Sequence, residues 1–261
     1  MKASRLLAPA LATGLALYVA PQFMLLSRTA DVSLWVRLFD SLYAAIFWRS
    51  ILMALGTTMV TLLVGFPVAW ALVRAVPERF RGAFLLLVTL PLWTSVLVKL
   101  YAWVFLLRSG GLLFRLLEFM GSDSPSLLYT TTAVAIGQLY VELPYMILPI
   151  YASLERIDPS LIDAAHDLGA SPTKALGRVV IPIAAPGIVA GCVLVFVPSL
   201  GSVLVPDLLG GAKTAWVGTL ITSQFSTARD PAFGSAMAFT LSVLTLGAFL
   251  LFGRFLTKAQ E

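Results

Sequence analysis

Charge is what this sequence has least of. Only 12% of its 261 residues are Asp, Glu, Lys or Arg, while 59% are hydrophobic and the mean hydropathy is +0.93. A soluble globular domain carries about 25% charged residues, so this chain cannot coat a water-facing surface, and lipid is the solvent that suits it. Cysteine and histidine are nearly absent: Cys192 and His166 stand alone. One cysteine excludes an internal disulfide, and one Cys with one His leaves no zinc set. Cys192 reads as a small packing residue of an apolar helix. No Gly-x-x-x-x-Gly-Lys phosphate cradle is present, so no cofactor is expected on this chain and any ATP hydrolysis belongs to another subunit. The net charge of +5 is dispersed rather than gathered in a basic stripe with aromatics, which argues against nucleic acid as a partner.

Apolar runs, by contrast, are plentiful. Six are long enough to cross ~30 Å of hydrocarbon as helices, at about 6–26, 51–73, 83–107, 130–151, 183–205 and 232–253. The expected architecture is therefore an all-α membrane protein, one transmembrane domain over residues 1–261 with six spans. The first run follows Lys2 and Arg5 but exceeds the length of a secretory signal, and no small-x-small cleavage site closes it, so it reads as a retained helix. Ten Lys and Arg residues fall in the segments that are inside if the N-terminus is inside, against seven in the longer outside loops. That bias places both termini in the cytoplasm. Pro67, Pro91, Pro144, Pro149, Pro186 and Pro198 interrupt the spans. Their broken backbone bonds must be re-satisfied by neighbours or cavity water, which suits a pathway or moving helices better than a simple anchor.

The segment 153–182 is too polar to cross, yet it carries helix signals. Asp158-Pro159 is an N-cap acceptor with proline at the first helical position. Leu161, Ala164, Ala165 and Leu168 recur at i, i+3, i+4 and i+7, and Gly169 stands where a left-handed C′ residue belongs. Ser171-Pro172 restarts a helix that can run through Lys174 and Arg178 towards Pro182. The small residues let another backbone approach, and Asp163 and Asp167 flank the stripe with negative charge. Helices that lie on membrane surfaces are usually basic, so this acidic one is read as docking in a groove of a partner protein.

Asp163-Ala164-Ala165, Gly169 after three residues, and Val179-Val180-Ile181-Pro182 after nine more resemble the EAA loop of ABC-importer permeases, with Asp for Glu, Val for Ile and Ile for Leu. Leu90-Pro91-Leu92-Trp93-Thr94, Leu154 to Asp158, Pro186 to Cys192 and Asp207-Leu208-Leu209-Gly210-Gly211-Ala212-Lys213 are similar to the spermidine/putrescine permeases among the binding-protein-dependent inner-membrane components. The resemblance implies a MetI-like permease bundle in the bacterial inner membrane that is not itself an enzyme. It implies four kinds of contact besides lipid: a second homologous permease, a cytoplasmic ABC ATPase dimer, a periplasmic or extracellular binding protein, and a small-molecule substrate. Leu161, Asp163, Ala164, Ala165, Leu168 and Gly169 would then form the ATPase-coupling helix, with His166 in reach of the partner.

A polyamine bears two to four ammonium groups, whose passage calls for carboxylates and aromatic faces, the latter worth ~0.5–2 kcal/mol per cation–π contact. Trp93, Tyr101, Trp103, Tyr140, Glu142, Tyr145 and Asp207 are the pathway candidates. Glu142 lies inside the fourth span, where a charge costs about 2.5–3.5 kcal/mol or more. In the family it resembles, that position is usually apolar, and Lys99 in the third span is an alternative partner for it. A basic residue in the path would suit an opine, an amino-acid-like solute, an iron complex or thiamine, the other cargoes of related permeases. Two further classes compete. A membrane enzyme needs a catalytic cluster at one membrane face, and none is visible; a secondary transporter typically shows an internal inverted repeat, and none is evident.

Overall fold

A computed structural model describes residues 2–29, 31–119, 127–211 and 215–258, which form helices and their connections with no strand among them. In chain order the helices are α1 (Lys2–Ser27), α2 (Val32–Leu38), α3 (Ser41–Arg74), α4 (Glu78–Trp93), α5 (Val96–Leu107) and α6 (Leu112–Phe119). They continue as α7 (Thr131–Leu154), α8 (Pro159–Asp167), α9 (Pro172–Ala175), α10 (Ile181–Leu200), α11 (Val217–Ser226) and α12 (Pro231–Lys258). Five stretches are long and apolar enough to cross a membrane: Ser41–Arg74, Val96–Arg115, Thr131–Leu154, Pro172–Leu200 and Pro231–Arg254. With α1, 26 residues long and apolar over Ala16–Ser27, they account for the six expected crossings.

Two expected spans need correction. The third is not one helix over 83–107: it breaks at Thr94 and Ser95, whose ψ angles of 147° and 136° are extended. Pro91 has no N–H to give to the preceding turn, and the chain leaves the helix three residues later. The fifth does not begin at 183 or run to 205. It starts at Pro172, passes through one π turn at Leu176–Val180 and ends at Leu200. The wider turn, closed by the Ile181 N–H on the Leu176 carbonyl, carries the helix past Pro182, which has no N–H to contribute, without ending it.

The core is the triple contact of α3, α7 and α10, which pack on one another more extensively than any other helices. Met146 of α7 is fully buried at its centre. A Cβ at Gly65 of α3 would lie 2.9 Å from Met146 Cγ, and one at Gly191 of α10 would lie 2.8 Å from Met146 Sδ. At Gly187, one turn earlier on α10, a Cβ would run into the Pro149 carbonyl and the Ser153 side chain. Within lipid there is no hydrophobic drive to join apolar helices, so such close backbone approach supplies the association. The remaining helices flank this core: α12 lies along α10, α1 rests chiefly on α12, and α4 and α5 lie against α7.

Candidate functional site

The segment 153–182 folds as its signals specify. Asp158 caps α8 by accepting from the Ser160 N–H at 2.9 Å, and Pro159 occupies the first turn. That bond holds the Asp158 carboxyl below the usual carboxylate range. At the far end the Gly169 N–H donates to the His166 carbonyl at 2.8 Å and the Ala170 N–H to Ala165 at 2.9 Å, with Gly169 at φ +80°. These two bonds and the left-handed residue make a Schellman cap. The helix thus ends after nine residues and turns sharply into Pro172.

Burial divides α8 into two sides. Leu161 is 47% exposed and Leu168 90% exposed, with Asp163, Ala164, His166 and Gly169 also exposed and Ala165 half-buried. Ile162, which the stripe Leu161–Ala164–Ala165–Leu168 left out, is buried in the same cluster as Met146, Tyr151 and Val180. It anchors the helix to the bundle while the stripe faces outward. The signal for it was a second apolar position, one residue after Leu161 and so about 100° round the helix, beside the half-buried Ala165. Beneath α8 lies a cleft of about 280 Å³ lined by Trp70, Arg74, Ile162, Asp163, His166 and Leu176. The Arg74 guanidinium stands 5.2 Å from the centre of the Trp70 ring. The end of α3 and the start of the α9–α10 rod thus form the seat of the helix.

The pathway candidates do not form one constellation. Trp103 and Tyr140 meet edge to face at 5.7 Å and, with Pro91, Thr94 and Lys99, line a cleft of about 320 Å³ between α4, α5 and α7. Trp93, Tyr101 and Tyr145 are exposed at 79%, 52% and 40% and do not line it. Asp207 is exposed in the short helical turn Pro206–Gly210. That turn is pinned: Leu209 is fully buried, and its carbonyl accepts from the Tyr129 N–H at 2.9 Å. The last two residues of the Asp207 motif, Ala212 and Lys213, lie outside the described residues.

Glu142 is 4% exposed; Oε1 is 3.5 Å from Gln138 Nε2, and Oε2 is buried without a hydrogen-bond partner. Lys99, 8% exposed, donates to the Pro91 carbonyl at 2.6 Å rather than forming an ion pair with Glu142. The Thr94 hydroxyl donates to the same carbonyl at 3.0 Å. Sequence reasoning weighed a pair against a pathway; the structure holds the two charges apart. It also passed over Thr57, Thr58 and Thr61, buried hydroxyls of α3, because threonine in an apolar run reads as packing.

Residues 41–259 match the family described as binding-protein-dependent transport system inner membrane component. The spermidine/putrescine transport system permease protein PotB of Salmonella typhimurium is 41% identical over 219 residues, 83% of this chain and 76% of that protein. Its Haemophilus influenzae namesake is 42% identical over 212 residues, covering 80% and 74%. The inner membrane ABC transporter permease protein YdcU of Escherichia coli is 36% identical over 231 residues, covering 82% and 72%. Among solved structures, a bacterial ABC transporter involved in import of the acidic polysaccharide alginate superposes with a TM-score of 0.76 at 20% identity, covering 99% of this chain and 96% of that one. The MetNI methionine ABC transporter gives 0.61 at 15% identity, covering 83% and 95%. With 219 of its residues inside the family match and the same helical architecture, this chain belongs to the binding-protein-dependent transport system inner membrane components, the multi-pass permease subunits of ABC transporters.

Proposed function

We propose that this chain is one permease subunit of an ATP-driven polyamine importer. It forms half of a translocation path and receives the power stroke through α8 from a cytoplasmic ATPase that binds and hydrolyses the ATP. The observation that carries the coupling role is the two-sided α8: Ile162 seated in the bundle, Leu161, Ala164 and Leu168 turned outward, and a Schellman cap that fixes where the helix points. A rigid, anchored helix with an exposed small-residue face transmits a push in either direction, as a rocking bundle requires. Asp163, Ala165, His166 and Gly169 complete the contact surface. A second permease supplies the other half of the path, and a binding protein delivers substrate on the opposite side. Both termini then lie in the cytoplasm, on the α8 side of the inner membrane.

The polyamine reading is supported by about 40% identity to permeases named for spermidine and putrescine and by the aromatic cleft at Trp103 and Tyr140. Trp93, Tyr101, Tyr145 and Asp207, on outward surfaces, serve where the second permease or the binding protein closes over them. The deciding experiment is uptake of radiolabelled putrescine and spermidine into cells with and without this chain, alongside its partner subunits. Uptake that requires the chain and is competed by unlabelled polyamine is the expected result. An assembled complex without polyamine uptake overturns the substrate and leaves an opine, another amino-acid-like solute, an iron complex or thiamine as cargo.

A further inference from the structure

Two opposite charges are buried in this bundle, and each has found something other than its obvious partner. Lys99 donates to the Pro91 carbonyl, and Glu142 keeps one oxygen without a hydrogen bond. They are nonetheless level in the membrane. As consecutive crossings α5 and α7 traverse the membrane in opposite senses, and they meet where Trp103 touches Tyr140. Lys99 lies four residues before Trp103, about 6 Å along the axis at 1.5 Å per residue, which brings it alongside residues 142–146 of α7. The two side chains also lie within electrostatic range of each other. A buried ionisable group is most stable beside one of opposite sign, so an arrangement that keeps these two apart asks for an explanation.

The surroundings of the ammonium supply one. The chain breaks at Thr94–Ser95, an exposed turn on the flank of the bundle, and the last carbonyls of α4 have no helical partner. A helix C-terminus carries a partial negative charge, and ends of broken membrane helices are suited to holding cations. The adjoining cleft presents the Thr94 hydroxyl and the Trp103 and Tyr140 rings, and aromatic faces attract ammonium groups. For an anion the Pro91 carbonyl and the helix C-terminus are repulsive, and the Lys99 ammonium that could attract it is already bound to that carbonyl. The Pro91 carbonyl and the aromatic rings fit a primary ammonium, which Lys99 supplies, and the apolar remainder of the lining, Leu90, Val98, Ala102 and Leu106, suits the methylene stem behind it.

We propose that the α4–α5 cleft is a primary-ammonium site whose resting occupant is the chain's own Lys99, and that an incoming substrate ammonium takes the Pro91 carbonyl while Lys99 crosses to Glu142. Its substrate class rests on the polyamine reading. The exchange leaves each charge with a partner, though the bundle gains the one positive charge of the entering ammonium: the entering cation occupies the site Lys99 vacates, and Lys99 meets the free oxygen of Glu142. Lysine suits the part, as a compact charge on a flexible four-carbon stem. Self-occupancy lowers the apparent affinity by the fraction of time the site is filled from within.

The test uses the whole transporter reconstituted in vesicles, comparing wild type, Lys99→Met, Glu142→Gln and the double variant. Lys99→Met should lower the polyamine KM about threefold to tenfold, since the internal competitor is gone. Glu142→Gln should lower maximal uptake, and this effect should vanish in the Lys99→Met background, a non-additivity expected only of coupled residues. A KM unchanged or raised in Lys99→Met overturns the proposal. Should that variant fail to assemble, Trp103→Leu takes its place, and a KM that does not rise overturns it equally. Butylammonium separates this inference from the substrate reading: on the purified complex it should raise the Tm of Lys99→Met more than that of wild type. Equal shifts overturn the ammonium site. Unequal shifts without polyamine uptake keep it and reject the polyamine.

Discussion

Gly169 is the residue on which the chain turns out of α8. Its φ of +80° lies in the left-handed region, which costs a residue with a side chain roughly 1–2 kcal/mol, and most for a β-branched one. The open space around it means that strain, not collision, is the penalty. Gly169→Val should therefore leave the protein inserted and associated with its second permease but lower transport about fivefold to thirtyfold, since 1.4 kcal/mol is a factor of ten. Uptake and ATPase stimulation measured on the same vesicles check this; unaltered uptake would remove α8 from the coupling role. This position was legible beforehand because a glycine directly after an apolar stripe, followed by Ser-Pro, has few other readings. Ile162 was not: in a nine-residue helix either side can be the buried one, and only the bundle beneath it shows which.

At the scale of elements, the crossing of α7 and α10 carries the greatest steric demand. Gly187 and Gly191 are four apart on α10 and face the Pro149 carbonyl and Met146 of α7. Gly187→Leu must drive the two helices apart, since the obstacle is backbone, and overpacking of this kind typically costs about 1–3 kcal/mol. The expected outcome is a lower unfolding temperature in detergent together with lost uptake. A Tm equal to wild type would contradict the packing described. The third span shows what helix-level reading misses. Hydropathy over 83–107 is continuous, and Pro91 alone does not require a break, since prolines sit within α3, α7 and α10 without ending them. The break persists where Thr94 and Lys99 supply donors to the freed Pro91 carbonyl, and that pairing depends on where α5 places Lys99.

Across the whole molecule, much apolar surface remains exposed: Trp93, Val98 and Phe105 on α4–α5, Leu63 and Met59 on α3, Phe249 and Leu251 on α12. Lipid covers such surface, and so does a second permease where the two halves meet. In the orientation proposed from the distribution of Lys and Arg, α8 and both chain ends lie on the cytoplasmic side. Reporter fusions active only in the cytoplasm should therefore light up after the C-terminus and within 153–182. They should stay dark in the loop between α5 and α7. The opposite pattern would place α8 beyond reach of any ATPase.

What the sequence determined by itself follows from local or compositional physics. Lipid as solvent follows from the shortage of charge, the crossings from the length of the apolar runs, and α8 from capping chemistry carried by Asp158, Pro159 and Gly169. These depend on neighbours in the chain or on bulk transfer energies, so no tertiary contact is needed to read them. The tertiary structure decided which side of α8 is anchored, where the third span breaks, and that Lys99 and Glu142 stand level yet unpaired. Each of these rests on residues far apart in sequence, brought together by the close approach of α3, α7 and α10 and the return of α5 along α7, where packing geometry rather than local preference sets the outcome.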